Sequence, residues 1–126
     1  NVGFAVSGML TGEMHLEMFD ITVLMGNILQ NAMEAAVKAV DPKIRIELVE
    51  HEKEIFIAVS NSIAYKANTR NFFVTTKKDK GNHGFGLKNI VATVEKYHGE
   101  YYMETMVENG KAMFQISIAI PKENRV

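Results

Sequence analysis

The stretch Leu24-Met25-Gly26-Asn27-Ile28-Leu29-Gln30-Asn31-Ala32-Met33-Glu34-Ala35-Ala36 decides how this chain is read. Leu24, Ile28, Ala32 and Ala35 recur at helical spacing, with Ile21 before them and Ala39 after. At about 100° per residue these positions share one arc, the width a core-facing helix needs. Asn27, Asn31, Glu34 and Lys38 form a polar stripe beside that arc. Asparagine is a poor helix former because its amide competes with the backbone for hydrogen bonds. Two of them one turn apart, at the rim of an apolar face, ask for a chemical reason; a solvated polar edge is the plain alternative.

Outward from this stretch, the helical pattern runs from about Met18 to Val40 and is stopped by Asp41-Pro42, since proline disfavours helix at the preceding residue. Val2 to Leu10 reads as an opening strand turned by Thr11-Gly12. Ile44, Ile46 and Leu48 alternate with charges, as do Ile55, Ile57 and Val59, so the pair predicts an antiparallel hairpin around His51-Glu52-Lys53. From Asn61 to about Gly84 no period holds; Phe72 and Phe73 are embedded there, and Lys77, Lys78 and Lys80 form a basic cluster. A loop this long inside a compact domain is typically a lid or binding loop when it is not disordered. Leu87, Ile90, Val91 and Val94 predict a second helix, closed by Gly99 as its C-terminal cap. Tyr101 to Val107 and Ala112 to Ile120 flank Asn109-Gly110, the strongest short hairpin signal, and Pro121 ends the last strand. The expected fold is α+β, a two-layer sandwich of a mostly antiparallel sheet with helices on one face.

Composition narrows the function classes. The 126 residues fit one domain, spanning 1–126, with no internal repeat. With no cysteine, disulfides and thiolate metal sites are excluded, which suits a reducing compartment. A net charge of −1 without a basic block gives no indication of electrostatic nucleic-acid binding. No apolar run reaches the length of a membrane span, and no basic-led signal peptide is visible. The four histidines lack metal-ligand spacing, and the eight methionines read as core filler. An opening at Asn1 without methionine reads as a fragment of a longer protein.

His83-Gly84-Phe85-Gly86 sits where the long loop becomes a helix N-terminus. Such an end presents unpaired amides and a positive dipole, an anion site, and glycine lets the backbone approach a phosphate closely. It is not a P-loop, lacking the glycine-lysine-serine/threonine ending, and not a dinucleotide fingerprint. A magnesium ion on phosphates takes oxygen ligands and keeps several waters, so one amide oxygen, that of Asn31, suffices from the protein. Lys77 or Lys78 would neutralise phosphate oxygens from the lid.

Gly26-Asn27-Ile28-Leu29-Gln30-Asn31-Ala32-Met33-Glu34-Ala35 resembles the N box of the GHKL nucleotide-binding superfamily, and His83-Gly84-Phe85-Gly86-Leu87-Lys88-Asn89 resembles its second glycine box. Their order and separation match, over essentially the whole chain. The likeness is greatest to the ATP-binding catalytic domain of sensor histidine kinases, and the ending Asn-Ala-Met-Glu-Ala-Ala is similar to the peptide-pheromone (quorum-sensing) receptor subgroup. This resemblance implies a Bergerat-type fold, ATP and Mg2+ as cofactors, and transfer of the γ-phosphate to a histidine. Asn31 matches the residue whose amide oxygen binds magnesium. Asn27 matches a position that is glutamate in the superfamily's ATPases and serine kinases, and an amide cannot serve as general base. Asparagine there speaks for histidine phosphotransfer. Gly84, Gly86 and Leu87 match the residues whose backbone receives phosphates, and His83 beside them touches phosphate or orders the lid. The adenine-reading aspartate of the family falls at Asn61, and the glycines of its box are replaced by Ile63 and Tyr65.

Glu34 also departs from the family, where many histidine kinases carry a basic residue; pairing with Lys38, four residues on, makes it structural. None of His15, His51, His83 and His98 resembles a phosphoacceptor. The resemblance therefore implies a partner, the phosphoacceptor and dimerisation domain of the same receptor, with a response regulator served indirectly. It further implies a cytoplasmic domain of a membrane-bound receptor, monomeric by itself. Two alternatives stand beside this reading: a pseudo-kinase or interaction module that kept the fold and lost nucleotide, and an ATPase or serine kinase of the superfamily.

Overall fold

The computed structural model describes residues 1–10, 15–64, 74–75 and 85–122. A 19-residue helix, α1 (Met18–Ala36), and a 12-residue helix, α2 (Phe85–Lys96), pack on a six-stranded sheet. The strands are β1 (Gly3–Gly8), β2 (Lys43–Glu50), β3 (Glu54–Ser62), β4 (Val74–Thr75), β5 (Glu100–Glu108) and β6 (Lys111–Pro121), ordered β1-β2-β3-β6-β5-β4. Every pairing is antiparallel except the parallel β1–β2 edge. The α+β sandwich with both helices on one face is the architecture that the alternation and helical periods predict.

The core follows from two periods meeting. Leu24, Ile28 and Ala32 of α1 are buried as their spacing requires, and Ala36 joins them where the pattern had pointed to Ala35. From the sheet, Ile44, Ile57, Val59, Ile116, Ile118 and Met103 face them at alternate positions. Each fully buried Leu or Ile contributes about 1.5–3 kcal/mol relative to exposure.

Four expectations are corrected. α1 ends at Ala36, short of Val40, because its last bonds tighten to three-residue steps: Lys38 N–H to Ala35 O at 3.3 Å and Ala39 N–H to Ala36 O at 3.0 Å. The aperiodic stretch contains β4, two residues on the edge of β5, too short for any period to reveal. Gly99 is not the left-handed cap of α2. His98 takes that conformation (φ 58°), and its N–H bonds Glu95 O at 3.0 Å while Gly99 N–H bonds Val94 O at 2.9 Å, a Schellman closure. Glycine is required at 99 for space instead, since a Cβ there would lie 2.6 Å from Ala119 O of β6. Finally, Glu34 does not pair with Lys38; its Oε1 accepts from Gln30 Nε2, one turn in the other direction, at 3.2 Å. The Asn109-Gly110 turn is as expected, with φ of 51° and 76° as a type I′ hairpin needs.

Candidate functional site

α1 and α2 run antiparallel against each other, and their two ends differ. Where α1 starts and α2 stops, Asp20 Oδ2 accepts from Lys96 Nζ at 2.8 Å and from the Tyr97 hydroxyl, while that hydroxyl accepts from Glu17 N–H at 3.0 Å. Hydrogen bonds from Lys96 and then Tyr97 hold the Asp20 carboxyl below its ordinary range. Burial, and then the bond to Asp20, push the Tyr97 phenol up.

At the opposite end the chain places its two asparagines against the glycine of α2. A Cβ on Gly86 would lie 3.0 Å from Asn31 Oδ1 and 3.5 Å from Asn27 Oδ1, so any larger residue here would push the Asn31 amide aside. Asn27 spends its amide nitrogen within its own helix, donating to Val23 O at 2.9 Å, which leaves its oxygen toward α2. The Asn31 amide has no hydrogen-bond partner among the described residues. Gly86 and Leu87 lie in the first turn of α2, whose N–H groups have no intrahelical acceptors.

Beneath this junction lies a cavity of about 440 Å³ between the helices and the sheet, lined by Asn31 and Glu34 of α1, by Lys38 just beyond it and by Leu87 of α2. Asn61, Thr105 and Phe114 line it from the sheet. Asn61 is 3% exposed at the end of β3, and its Nδ2 donates to Ser62 O at 3.0 Å. Ser62 is itself pinned, its hydroxyl donating to Asp41 O at 2.8 Å and accepting from Lys43 N–H at 2.6 Å. With its nitrogen so engaged, Asn61 presents its carbonyl oxygen as a fixed acceptor.

The structure thus brings Asn31, Asn61 and Leu87 to one cavity and Asn27 and Gly86 to its mouth. Lys77, His83 and Gly84 lie outside the described residues. Sequence reading missed Thr105, although Tyr101, Met103 and Thr105 alternate on one face and period two would have put Thr105 on the core side. It also left Lys38 as a partner of Glu34, whereas Lys38 lines the cavity. No group of acidic or histidine side chains able to hold a metal unaided occurs among the described residues.

The family model of the GHKL domain matches residues 16–121, which contain both helices and the cavity. This chain is a GHKL domain. No curated protein matches the sequence significantly. Among solved structures, this GHKL domain is similar to the nucleotide-free catalytic domain of histidine kinase ThkA, at 21% identity and a TM-score of 0.66 over 98% of this chain and 82% of that one. The mycobacterial sensor histidine kinase MprB is similar at 14% identity and a TM-score of 0.65, over 98% and 86% of the two chains. ThkA bound to response regulator protein TrrA matches at 18% identity and a TM-score of 0.63, over 98% of this chain and 35% of that one. These likenesses establish the shared fold.

Proposed function

We propose that this GHKL domain binds magnesium-ATP and donates the γ-phosphate to a histidine on a separate phosphoacceptor domain, as the catalytic part of a sensor histidine kinase. One observation carries the reading. The Asn31 amide, with no hydrogen-bond partner among the described residues, faces the first turn of α2 across the mouth of a cavity that has a fixed acceptor, Asn61, at its floor. A nucleotide has the same polarity, with phosphates at one end and a donor amine at the other.

The amides of Gly86 and Leu87 receive phosphate oxygens at the positive end of α2. The donor set fits a magnesium triphosphate better than a bare cation, since Asn31 offers one neutral oxygen and phosphates and water complete the shell. A magnesium ion held by Asn31 would supply positive charge to offset that of the phosphates. Asn61 accepts from the adenine amine. Asn27 provides no base, and an imidazole nucleophile needs none; the bond from phosphorus to the ADP oxygen breaks as the bond to the ring nitrogen forms. Catalysis then consists of positioning and charge neutralisation. Lys77, His83 and Gly84 would act from the lid side. The domain would belong to the peptide-pheromone receptor subgroup, on the cytoplasmic side of a membrane receptor, where ATP is found. The ThkA–TrrA complex supports a response regulator as the downstream partner.

Calorimetric titration with ATP, ADP and a non-hydrolysable analogue, with and without magnesium, tests this reading. Magnesium-dependent binding, followed by phosphorylation of an added phosphoacceptor domain, is the expected result. Silence at millimolar nucleotide would overturn it in favour of an interaction module. Steady ATP turnover by the isolated domain would instead make it an ATPase.

A further inference from the structure

Among the described residues the sheet ends in two edges of different build, β4 and β1. β4 has two residues, Val74 and Thr75, too few to template a foreign strand. β1, Gly3-Phe4-Ala5-Val6-Ser7-Gly8, is of ordinary strand length, carries neither charge nor proline, and is exposed at every residue. Charges, prolines and shortness are the devices that keep an edge strand from pairing with another chain, and β1 has none of them. Its register shows which groups face outward. Gly3 N–H bonds Pro42 O at 2.9 Å, and Gly3, Ala5 and Ser7 stand opposite Lys43, Arg45 and Glu47 of β2. Along a strand the N–H and C=O of successive residues point to opposite neighbours, so Phe4 and Val6 direct theirs to the open edge. The side chains of these two lie on the face of Ile44 and Ile46, yet they are 55% and 64% exposed, because α1 packs over β2 and β3 instead.

We propose that β1 pairs with β1 of a second copy of this chain, antiparallel about a two-fold axis at Ala5, joining the two sheets edge to edge. Phe4 then exchanges backbone hydrogen bonds with Val6 of the partner subunit, and Val6 with Phe4 of the partner subunit. Gly8, at φ 86°, ends the pairing. Two features fit a second copy in particular. The strand complements itself: this register sets an aromatic beside a β-branched side chain twice on one face, a favoured cross-strand pair, while only glycine, alanine and serine meet on the other. The flanking charges also match. Lys43 and Glu47 of the partner subunit share a row on the open face, with only Gly3 and Ser7 of the partner subunit between them, their backbones roughly 14 Å apart. Arg45 faces its own copy across the same span, and each is paired with its own Glu47 at 3.4 Å. A chain of net charge −1 adds little long-range repulsion. A strand pairing this short buries less than the about 800 Å² per partner of a standard interface, so the dimer is weak and concentration-dependent. It replaces the monomer that the family resemblance implies for the isolated domain, and it holds whether or not the cavity takes nucleotide.

Sedimentation velocity of the full chain from roughly 10 μM to 1 mM, the range of a weak complex, tests the proposal. The dimer fraction is expected to rise over that range. Val6→Lys, which puts a charge on the edge, should abolish the dimer and leave the melting temperature in dilute solution unchanged, since Val6 is largely exposed. Oxidative cross-linking gives a second reading that does not depend on this variant. The chain has no cysteine, and Ala5 would meet its copy in a non-hydrogen-bonded pair with Cα atoms about 4.5 Å apart, within disulfide reach. Ala5→Cys should therefore form a disulfide-linked dimer much faster than Val49→Cys, an exposed position on β2. A chain that stays monomeric at 1 mM overturns the proposal and leaves the edge to a strand of another protein. A dimer that survives Val6→Lys, or equal cross-linking of the two cysteine variants, overturns it in favour of a different surface.

Discussion

The two ends of the α1–α2 pair make the same contact in opposite ways. At the closed end, Asp20, Lys96, Tyr97 and the Glu17 amide bond one another. At the open end, Gly86 replaces a side chain with space, the Asn31 amide has no partner among the described residues, and Asn27 turns its nitrogen inward to Val23. Under the proposed function, stability is kept at one end and binding at the other. One end anchors the helices, so that the other can hold polar groups ready without collapsing onto them. Substitutions at the two ends should therefore change different measurements.

The largest effect is expected at Asn31. Asn31→Ala should weaken magnesium-dependent ATP binding by at least ~100-fold, since even groups that only support a metal ligand are worth 10–100-fold. Its melting temperature should not fall, because the amide supports no described contact and alanine is the better helix former. Equal affinity by calorimetry would refute the metal assignment. Next comes Gly86→Ala, which separates the two properties within one residue. The added Cβ, 3.0 Å from Asn31 Oδ1, displaces that amide and should lower ATP affinity roughly tenfold. The same change adds helix propensity and should raise stability by up to ~1 kcal/mol. A loss of both would mean that the open end also carries the fold.

At the closed end, Tyr97→Phe removes a donor to Asp20 and an acceptor for Glu17 N–H. About 1–2 kcal/mol of stability should be lost in urea unfolding, with nucleotide affinity unaltered. A drop in affinity would show the two ends to be coupled. The smallest effect concerns pH. Because Lys96 and Tyr97 hold the Asp20 carboxyl low, its contribution is complete above about pH 4 and fades as the pH falls through the folded value. The bond to Asp20 holds the Lys96 ammonium above its ordinary range, so its share fades only as alkaline pH passes the folded value. Lys96 is more than half exposed, so water screens the pair. Asp20→Asn should flatten the acid limb of urea midpoints measured between pH 7 and 3; an unchanged limb would assign acid sensitivity elsewhere.

Much of this was legible beforehand, and the residues show why. The Leu24-Ile28-Ala32 stripe, the alternation of Ile44-Ile46 and Ile55-Ile57, and Asn109-Gly110 are local signals, because helix and strand periods and turn geometry act over a few residues. The end of α1, the strand β4 and the left-handed His98 were not legible, since each is set by packing or by a neighbouring strand. Glu34 shows the limit of spacing rules: Gln30 and Lys38 are both one turn away, and the fold selects Gln30.

The sequence by itself determined the order of the elements other than β4 and the sheet-and-helix class, and it marked the asparagines and glycines that the proposed phosphate site uses, since periodicity and residue chemistry are properties of the chain. Only the tertiary structure decided that Gly86 lies against Asn31, that Ser62 orients Asn61, and that Thr105 shares a row with Asn61 across β6. Those relations join residues far apart in the chain, and they exist only once strand register and helix packing fix distances that no local pattern encodes.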